Sequence, residues 1–263
     1  RRVVNVIKYW LKIIVQLDNT KFAKKMYYLY SNLDDEVQNY RADLKIPFLI
    51  QEHKNMLSVG LYSYQKSRFL DNRRYNIKYT NTHDNSNIDD ILTTTNVDNE
   101  SISLSSVYKP ADIYNASQNV FAWYAKSNFY ILDDIDFTVG FRNEISTQEL
   151  KVGGETTSYD LVTNDILPSF NILYRFNDEQ QLRFSYAKSL SRPDFREFSP
   201  NRYKDPLTGN IVFGFKNLKH TTIDNLDLKY EYYLSFDEIL SVALFHKSFT
   251  NPIETVRTIQ DVD

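Results

Sequence analysis

The stretch LRFSYAKSLSRPDFREFSP, residues 182–200, decides how this chain is read. Leu182, Phe184 and Tyr186 fall on one side of a two-residue repeat, and Arg183, Ser185 and Ala187 on the other. That is a strand with unlike surroundings on its two faces. Pro193 has no N–H to give a neighbouring strand and holds Arg192 extended, so the ladder is predicted to end near Leu190. A long polar loop, 191–221, then opens. Within it Asp205, Pro206, Gly209 and Asn210 have the turn chemistry of a small hairpin.

Moving outward, the same alternation recurs. Tyr40, Ala42, Leu44, Ile46 and Phe48 oppose Arg41, Asp43 and Lys45; Leu57, Val59 and Leu61 oppose Ser58, Gly60 and Tyr62. It returns over 119–131, over 136–145 with Arg142 and Glu144 on the polar side, and over 170–174. The last hairpin sets Leu226, Leu228, Tyr230 and Tyr232 against Asp227, Lys229 and Glu231, then Leu240, Val242 and Leu244 against Ser241 and Ala243. Before Tyr40, strands are predicted over 3–17 and 22–30, with a turn at 18–20 and a reversal at 32–36. The sum is about ten strands in up-and-down order. Their connections alternate in kind: short near Asp18, Gln51, Asp133, Asp178 and Ser235, long over about 68–118, 147–165 and 191–221.

Composition agrees with interleaving rather than apolar blocks: 15% of residues are aromatic, 25% are charged, and 20 are Tyr. No apolar run approaches the roughly 18 residues of a spanning helix. Zero cysteines exclude a disulfide framework and a thiolate metal site. A net charge of −3 without a basic stripe argues against nucleic acid.

The motif of residues 182–200, with Asp205-Pro-Leu-Thr-Gly209-Asn210, Thr221-Thr-Ile-Asp-Asn225, Lys229-Tyr-Glu-Tyr-Tyr233 and Leu244-Phe-His-Lys-Ser-Phe-Thr-Asn-Pro-Ile253, resembles the barrel domain of TonB-dependent outer-membrane receptors. The resemblance is best from about 169 to 253. Where such barrels carry a Gly-Asn-Pro-Asn-Leu-Lys-Pro run, this chain has Gly214-Phe-Lys-Asn-Leu-Lys-His220, without either proline. The resemblance implies a receptor that binds a scarce solute in its outer loops and lumen: an iron chelate, cobalamin or a glycan. It implies a plug domain in the lumen and energy from an inner-membrane TonB complex. No plug is read in these 263 residues, and the strand number is about half that of a 22-stranded transporter, so the chain is expected to be part of a larger barrel. Its start at Arg1-Arg2 and its end at Asp261-Val-Asp263 read as those of a mature chain or fragment.

Alternation alone also fits a soluble sandwich. Strands of about ten residues match the roughly 9 to 11 that cross a bilayer at a tilt. Tight turns on one side and long loops on the other are the asymmetry of an outer-membrane barrel. Aromatics gather near both strand ends, Phe48, Phe129, Phe137 and Tyr232 at one and Tyr62, Tyr64, Phe170 and Tyr186 at the other, as two girdles would. The fold expected is therefore an all-β, antiparallel, multi-pass transmembrane β-barrel segment in the outer-membrane lipid. A lipid-facing Arg or Lys near the midplane costs about 2–4 kcal/mol. Arg41, Asp43, Lys45, Arg142, Glu144, Arg183, Asp227, Lys229 and Glu231 are accordingly assigned to the lumen.

No phosphate-binding glycine loop, serine elbow or zinc-protease helix motif is present, and neither an enzyme activity nor a cofactor is expected. Ligand contacts are expected from the 191–221 loop through Arg192, Arg196, Arg202, Tyr203 and Lys204, cationic and aromatic groups suited to an anionic chelate or a sugar. The aspartates Asp84, Asp89, Asp90 and Asp98 lack the glycine and terminal glutamate of a calcium loop, so no metal site is assigned. Two other readings stand beside the receptor. One is a structural or adhesive barrel whose loops meet a partner such as a surface lipoprotein. The other is a barrel hydrolase with His83, Asp84 or His220 on its rim.

Overall fold

The computed structural model describes residues 5–12, 25–50, 53–79, 102–107, 109–153, 158–205 and 208–257. Among them, strands β1 (Asn5–Lys12), β2 (Lys25–Ile50), β3 (His53–Tyr79), β4 (Ile102–Ser106), β5 (Ile113–Leu132), β6 (Ile135–Val152), β7 (Ser158–Arg175) and β8 (Gln180–Ser191) lead into an inward-folded segment. That segment holds a short helix, α1 (Phe195–Phe198), and the strands β9 (Tyr203–Lys204) and β10 (Ile211–Val212). Strands β11 (Thr221–Ser235) and β12 (Glu238–Thr250) follow. One antiparallel sheet runs in the order β1-β2-β3-β5-β6-β7-β8-β11-β12, with β4 added beside β3. Each main strand pairs with its sequence neighbours, and among the described residues the sheet does not close. This is a partial up-and-down barrel.

The strands are longer than the sequence pattern indicates. β2 has 26 residues and β3 has 27, against the roughly 9 to 11 that cross a bilayer. The reversal expected at 32–36 is not there: Asn32 to Glu36 run straight through the ladder opposite Asp71 to Ser67. The long connections are likewise shorter than 68–118 and 147–165, because β3 continues to Tyr79, β5 starts at Ile113, β6 reaches Val152 and β7 resumes at Ser158. The reason is solvation. Beyond the apolar belt the outer face turns polar while the inner face meets the apolar side of the loop, so the apolar positions change face and the belt's alternation breaks while the backbone hydrogen bonds continue. The expected turn at 18–20 lies outside the described residues. The short turns at Asp133-Asp134, at 176–179 and at Phe236-Asp237 stand where the sequence places them.

Where the loop after β8 begins, Asp194 caps α1: its carboxylate accepts from Arg196 N at 3.0 Å, and Glu197 accepts from Asp194 N at 2.7 Å. This reciprocal capping box makes a single helical turn persist. Its apolar side enters the sheet's concavity, where buried Phe195 and Phe198 meet Leu70, Tyr114, Ala116, Leu150 and Val152. Residues 213–215 then cross back over α1, with Gly214 N donating to Ser199 O and Phe215 N to Glu197 O. The backbones approach so closely that a Cβ at Gly214 would stand 2.4 Å from Glu197 O, which leaves glycine as the residue that fits. The expected hairpin at 205–210 is present: β9 pairs with β10, Asp205 N donates to Asn210 O, and Thr208 donates to the Asp205 carboxylate.

Candidate functional site: the charged face and its inward loop

Strand register fixes which side chains share a face. Asp43 stands opposite Gly60, Gly60 opposite Tyr124, and Tyr124 opposite Arg142; one position on, Arg41, Tyr62, Ala122 and Glu144 form the next row. Through β7 and β8 the same face reaches Arg183 opposite Lys229, Ser185 opposite Asp227 and Gln181 opposite Glu231. Arg41, Asp43, Lys45, Arg142, Glu144, Arg183, Asp227, Lys229 and Glu231 therefore all lie on one face. Many of these charges pair along their own strand, Arg41 with Asp43 at 2.6 Å, Arg142 with Glu144 at 2.5 Å and Lys229 with Glu231 at 2.6 Å. The opposite face exposes an apolar belt: Leu44 is 58% exposed, Val242 56%, and Leu61, Trp123, Phe141, Ile166 and Leu228 continue it. A contiguous greasy surface of this extent has hydrocarbon as its fitting neighbour. Two aromatics assigned to the girdles belong elsewhere. Tyr62 and Tyr64 share the charged face, and the Arg142 guanidinium lies 5.0 Å from the Tyr62 ring centroid.

The inward loop is moored to this charged wall at several points. Arg68 grips Asp35 through Nε at 2.6 Å and Nη2 at 2.7 Å, and reaches Asp194 at 3.1 Å. Lys66 lies 3.7 Å from Asp35 and 3.8 Å from Asp194. Burial pushes the Asp35 carboxyl up, but the Arg68 hydrogen bonds and the nearby Arg68 and Lys66 charges outweigh it and hold it below the usual aspartate range. Arg74 binds Asp112 and donates to the backbone carbonyl of Arg202. Gln148 donates to Pro193 O at 2.9 Å. Ser146, Gln148, Thr163, Asp165 and Arg192 each keep a buried polar atom without a hydrogen-bond partner, so the seam beneath the loop is polar.

The expected ligand contacts divide accordingly. The Arg192 side chain is 12% exposed, with Nη1 2.9 Å from Glu144 and Nη2 4.0 Å from Asp165, so its charge is engaged with the wall. Glu144 is correspondingly buried under the loop and does not stand open. Arg196 is exposed, with its guanidinium 3.5 Å from the Tyr203 ring centroid; Arg202 is exposed and lies 5.2 Å from that of Phe213. The Lys204 side chain, His83 and the aspartates 84, 89, 90 and 98 lie outside what is described. His220 places Nε2 2.8 Å from Asp165, in the same seam as Arg192. Sequence reading missed the exposed row Ile211, Phe213 and Phe215, the last 60% exposed, beside the two arginines. It also missed Phe195 and Phe198 as anchors. The spacing of Asp194 and Glu197 was the available signal for their helix.

A sheet with one lipid-suited apolar face, one charged face and a folded loop on the charged side is a transmembrane β-barrel of the outer-membrane kind. The chain belongs to the TonB-dependent receptor-like β-barrel family, whose model matches residues 12–263. No curated protein matches it. Among solved structures, it is similar to the ferric citrate transporter FecA in its unliganded form, with 17% identity and a TM-score of 0.60, over 90% of this chain and 32% of that one. It is also similar to the alcaligin outer-membrane receptor FauA from Bordetella pertussis, with 14% identity and a TM-score of 0.54, over 89% of this chain and 35% of that one. The chain thus spans about a third of the length of either. These likenesses concern the fold.

Proposed function

We propose that this barrel segment serves a solute receptor of the outer membrane, with the charged face lining a wet lumen and the inward loop contributing the binding surface. A plug domain would gate that lumen, and a TonB complex would supply the energy to displace it. The solute is an anionic chelate, such as an iron chelate, ahead of cobalamin or a glycan. The observation that carries this reading is the pair of exposed, aromatic-stacked guanidiniums, Arg196 on Tyr203 and Arg202 beside Phe213. Stacking pre-orients a guanidinium while leaving its donors free for a carboxylate or catecholate oxygen. Membership of a receptor family supports the reading, as does the likeness in fold to a transporter of ferric citrate.

Deleting residues 205–210 in the full-length protein tests it. The deletion should abolish binding of a panel of ferric chelates while the barrel keeps its heat-modifiable mobility. Unchanged chelate binding would transfer the assignment to a structural or adhesive barrel.

A further inference from the structure

The face that carries the apolar belt continues past it towards the long-loop end. Ladder register orders that continuation into rows across β2, β3, β5 and β6. The belt's upper rows include Ala42-Leu61-Trp123-Asn143 and Tyr40-Ser63-Phe121-Ile145. Next comes an amide and hydroxyl row, Gln38-Gln65-Asn119-Thr147. Above it stand Glu36-Ser67-Ser117-Glu149 and then Asp34-Phe69-Asn115-Lys151. These last two rows line a cleft of about 580 Å³. Its lining comes chiefly from the outer side of the wall, and Asp35, Arg68 and Ala116, whose side chains belong to the charged face, also border it. Side chains connect belt to cleft: Tyr40 donates to Gln38 at 3.1 Å, and Gln38 donates to Glu36 at 3.0 Å.

Spacing tells what the cleft meets. Rows on one face are two residues apart, about 6.6 Å along a strand, and four strands span about 14 Å. The cleft therefore begins two rows beyond the last apolar one, about 13 Å along the strands. Long connections mark this end of a barrel as the cell-surface side. An acyl chain lying on Phe121 and Ile145 would carry its headgroup to this height.

The cleft's chemistry suits sugar. Phe69, 37% exposed, offers an apolar ring at the centre. Asn115, Ser67 and Ser117 offer amide and hydroxyl groups, and Glu36 and Glu149 accept hydrogen bonds from hydroxyls. The local cations are engaged: Lys151 pairs with Glu149 at 2.7 Å, and Arg68 is committed to Asp35 and Asp194. A phosphate would meet more carboxylates than cations here, whereas a hydroxyl-rich ring meets acceptors and an aromatic face. We propose that this outer-wall cleft seats the core saccharide of an outer-leaflet glycolipid whose acyl chains lie on the belt below. The site shares Arg68 and Asp35 with the mooring of the inward loop but does not depend on the solute assigned to that loop.

The test uses the full-length receptor in nanodiscs, titrated with purified lipooligosaccharide, with lipid A lacking the core, and with free core oligosaccharide, bound lipid being read by native mass spectrometry. Lipooligosaccharide should be retained at least tenfold better than either of the others. The double variant Phe69→Ala with Asn115→Ala should lose that preference, and Ser117→Trp, which fills the cleft at the cost of a single hydroxyl, should lose it too. Chelate binding, measured alongside, should stay unchanged in both variants. Equal retention of lipid A and lipooligosaccharide, free core binding as tight as the intact glycolipid, or variants that keep the wild-type preference would each overturn the proposal.

Discussion

Arg192 Nη1 lies 2.9 Å from Glu144 Oε2, which ties the first residue after β8 to the wall formed by β6. Both side chains are nearly out of contact with water, 12% and 11% exposed. Truncating Arg192 leaves the buried Glu144 charge with Arg142 alone, 2.5 Å away, so the loss falls short of the about 3–5 kcal/mol of a wholly unpaired buried charge. Arg192→Ala should therefore release residues 192–220 to protease while the strands stay protected, and Glu144→Gln should do the same less severely because Arg192 keeps Asp165 nearby. Cleavage at the wild-type rate in both variants would mean the pair does not moor the loop.

Phe195 and Phe215 should respond in opposite ways to the same change. Phe195 is 1% exposed, and removing a ring from such a site costs about 3–5 kcal/mol. Phe195→Ala should lower the melting temperature and undock α1. Phe215→Ala, at 60% exposure, should alter stability by no more than about 0.5 kcal/mol and instead weaken chelate binding. A differential scan of each variant, with and without chelate, separates the two roles.

Asp35 makes the mooring pH-dependent in one direction. Its carboxyl is held below the ordinary value of 3.8 by Arg68 and Lys66, so above that value the charge steadies the two side chains that hold Asp194, and this contribution is lost as pH falls through the lower folded value. Protease sensitivity of the loop should be flat with respect to this group from about pH 5 upward and rise in acid below about pH 4. In Asp35→Asn that step should be diminished, with the loop looser at every pH. A step of equal size in the variant would assign it to other carboxylates.

Legibility in the sequence follows the solvent. Between Tyr40 and Phe48 one face meets lipid and the other water, so alternation is strict and the strand is plain. Between Asn32 and Gln38 the outer face turns polar while Leu33 and Val37 flank Asp35 on the inner one, so the apolar side of the strand changes face, and Asp34-Asp35 imitates a turn. The face shared by Arg41, Arg142, Arg183 and Lys229 was readable from charge alone, because a charge on the lipid side is costly at any register. The setting of Arg192 was not readable, for the complementary reason. A cation in a polar loop looks free until the loop's own path, set by Phe195 and Gly214, brings it over Glu144 and Asp165.

Gly60 lies under the Tyr124 ring, and a Cβ there would stand 2.3 Å from Tyr124 Cε1 and 2.7 Å from Asp43 Oδ1. Tyr124 also donates its hydroxyl to Asp43. Gly60→Val should push the ring aside and cost about 1–3 kcal/mol as overpacking. Adding Tyr124→Ala should recover most of that loss, since the ring is then gone and the Asp43 carboxylate, released from the tyrosine hydroxyl, can turn away. A double-mutant cycle in urea reads the coupling, and additive effects would show that the ring and the glycine are not in contact.

Leu44 and Lys45 are adjacent in sequence and belong to different solvents. Leu44 sits in the row Leu44-Val59-Ala125-Phe141, inside the belt bounded by Tyr40 and Phe48, and Lys45 points to the charged face. Leu44→Arg should lower the stability of the vesicle-inserted barrel by about 2–4 kcal/mol, the depth-dependent cost of a cation in hydrocarbon. Lys45→Leu should change it little, because a single apolar group in a wet lumen loses nothing it had in water. Glu36→Arg supplies the positional control. It shares the face of Leu44 but stands beyond the belt, where the same cation costs only about 0–1 kcal/mol. Equal losses for Leu44→Arg and Glu36→Arg would remove the membrane boundary placed between Tyr40 and Gln38, and a larger loss for Lys45→Leu than for Leu44→Arg would exchange the two faces of the sheet.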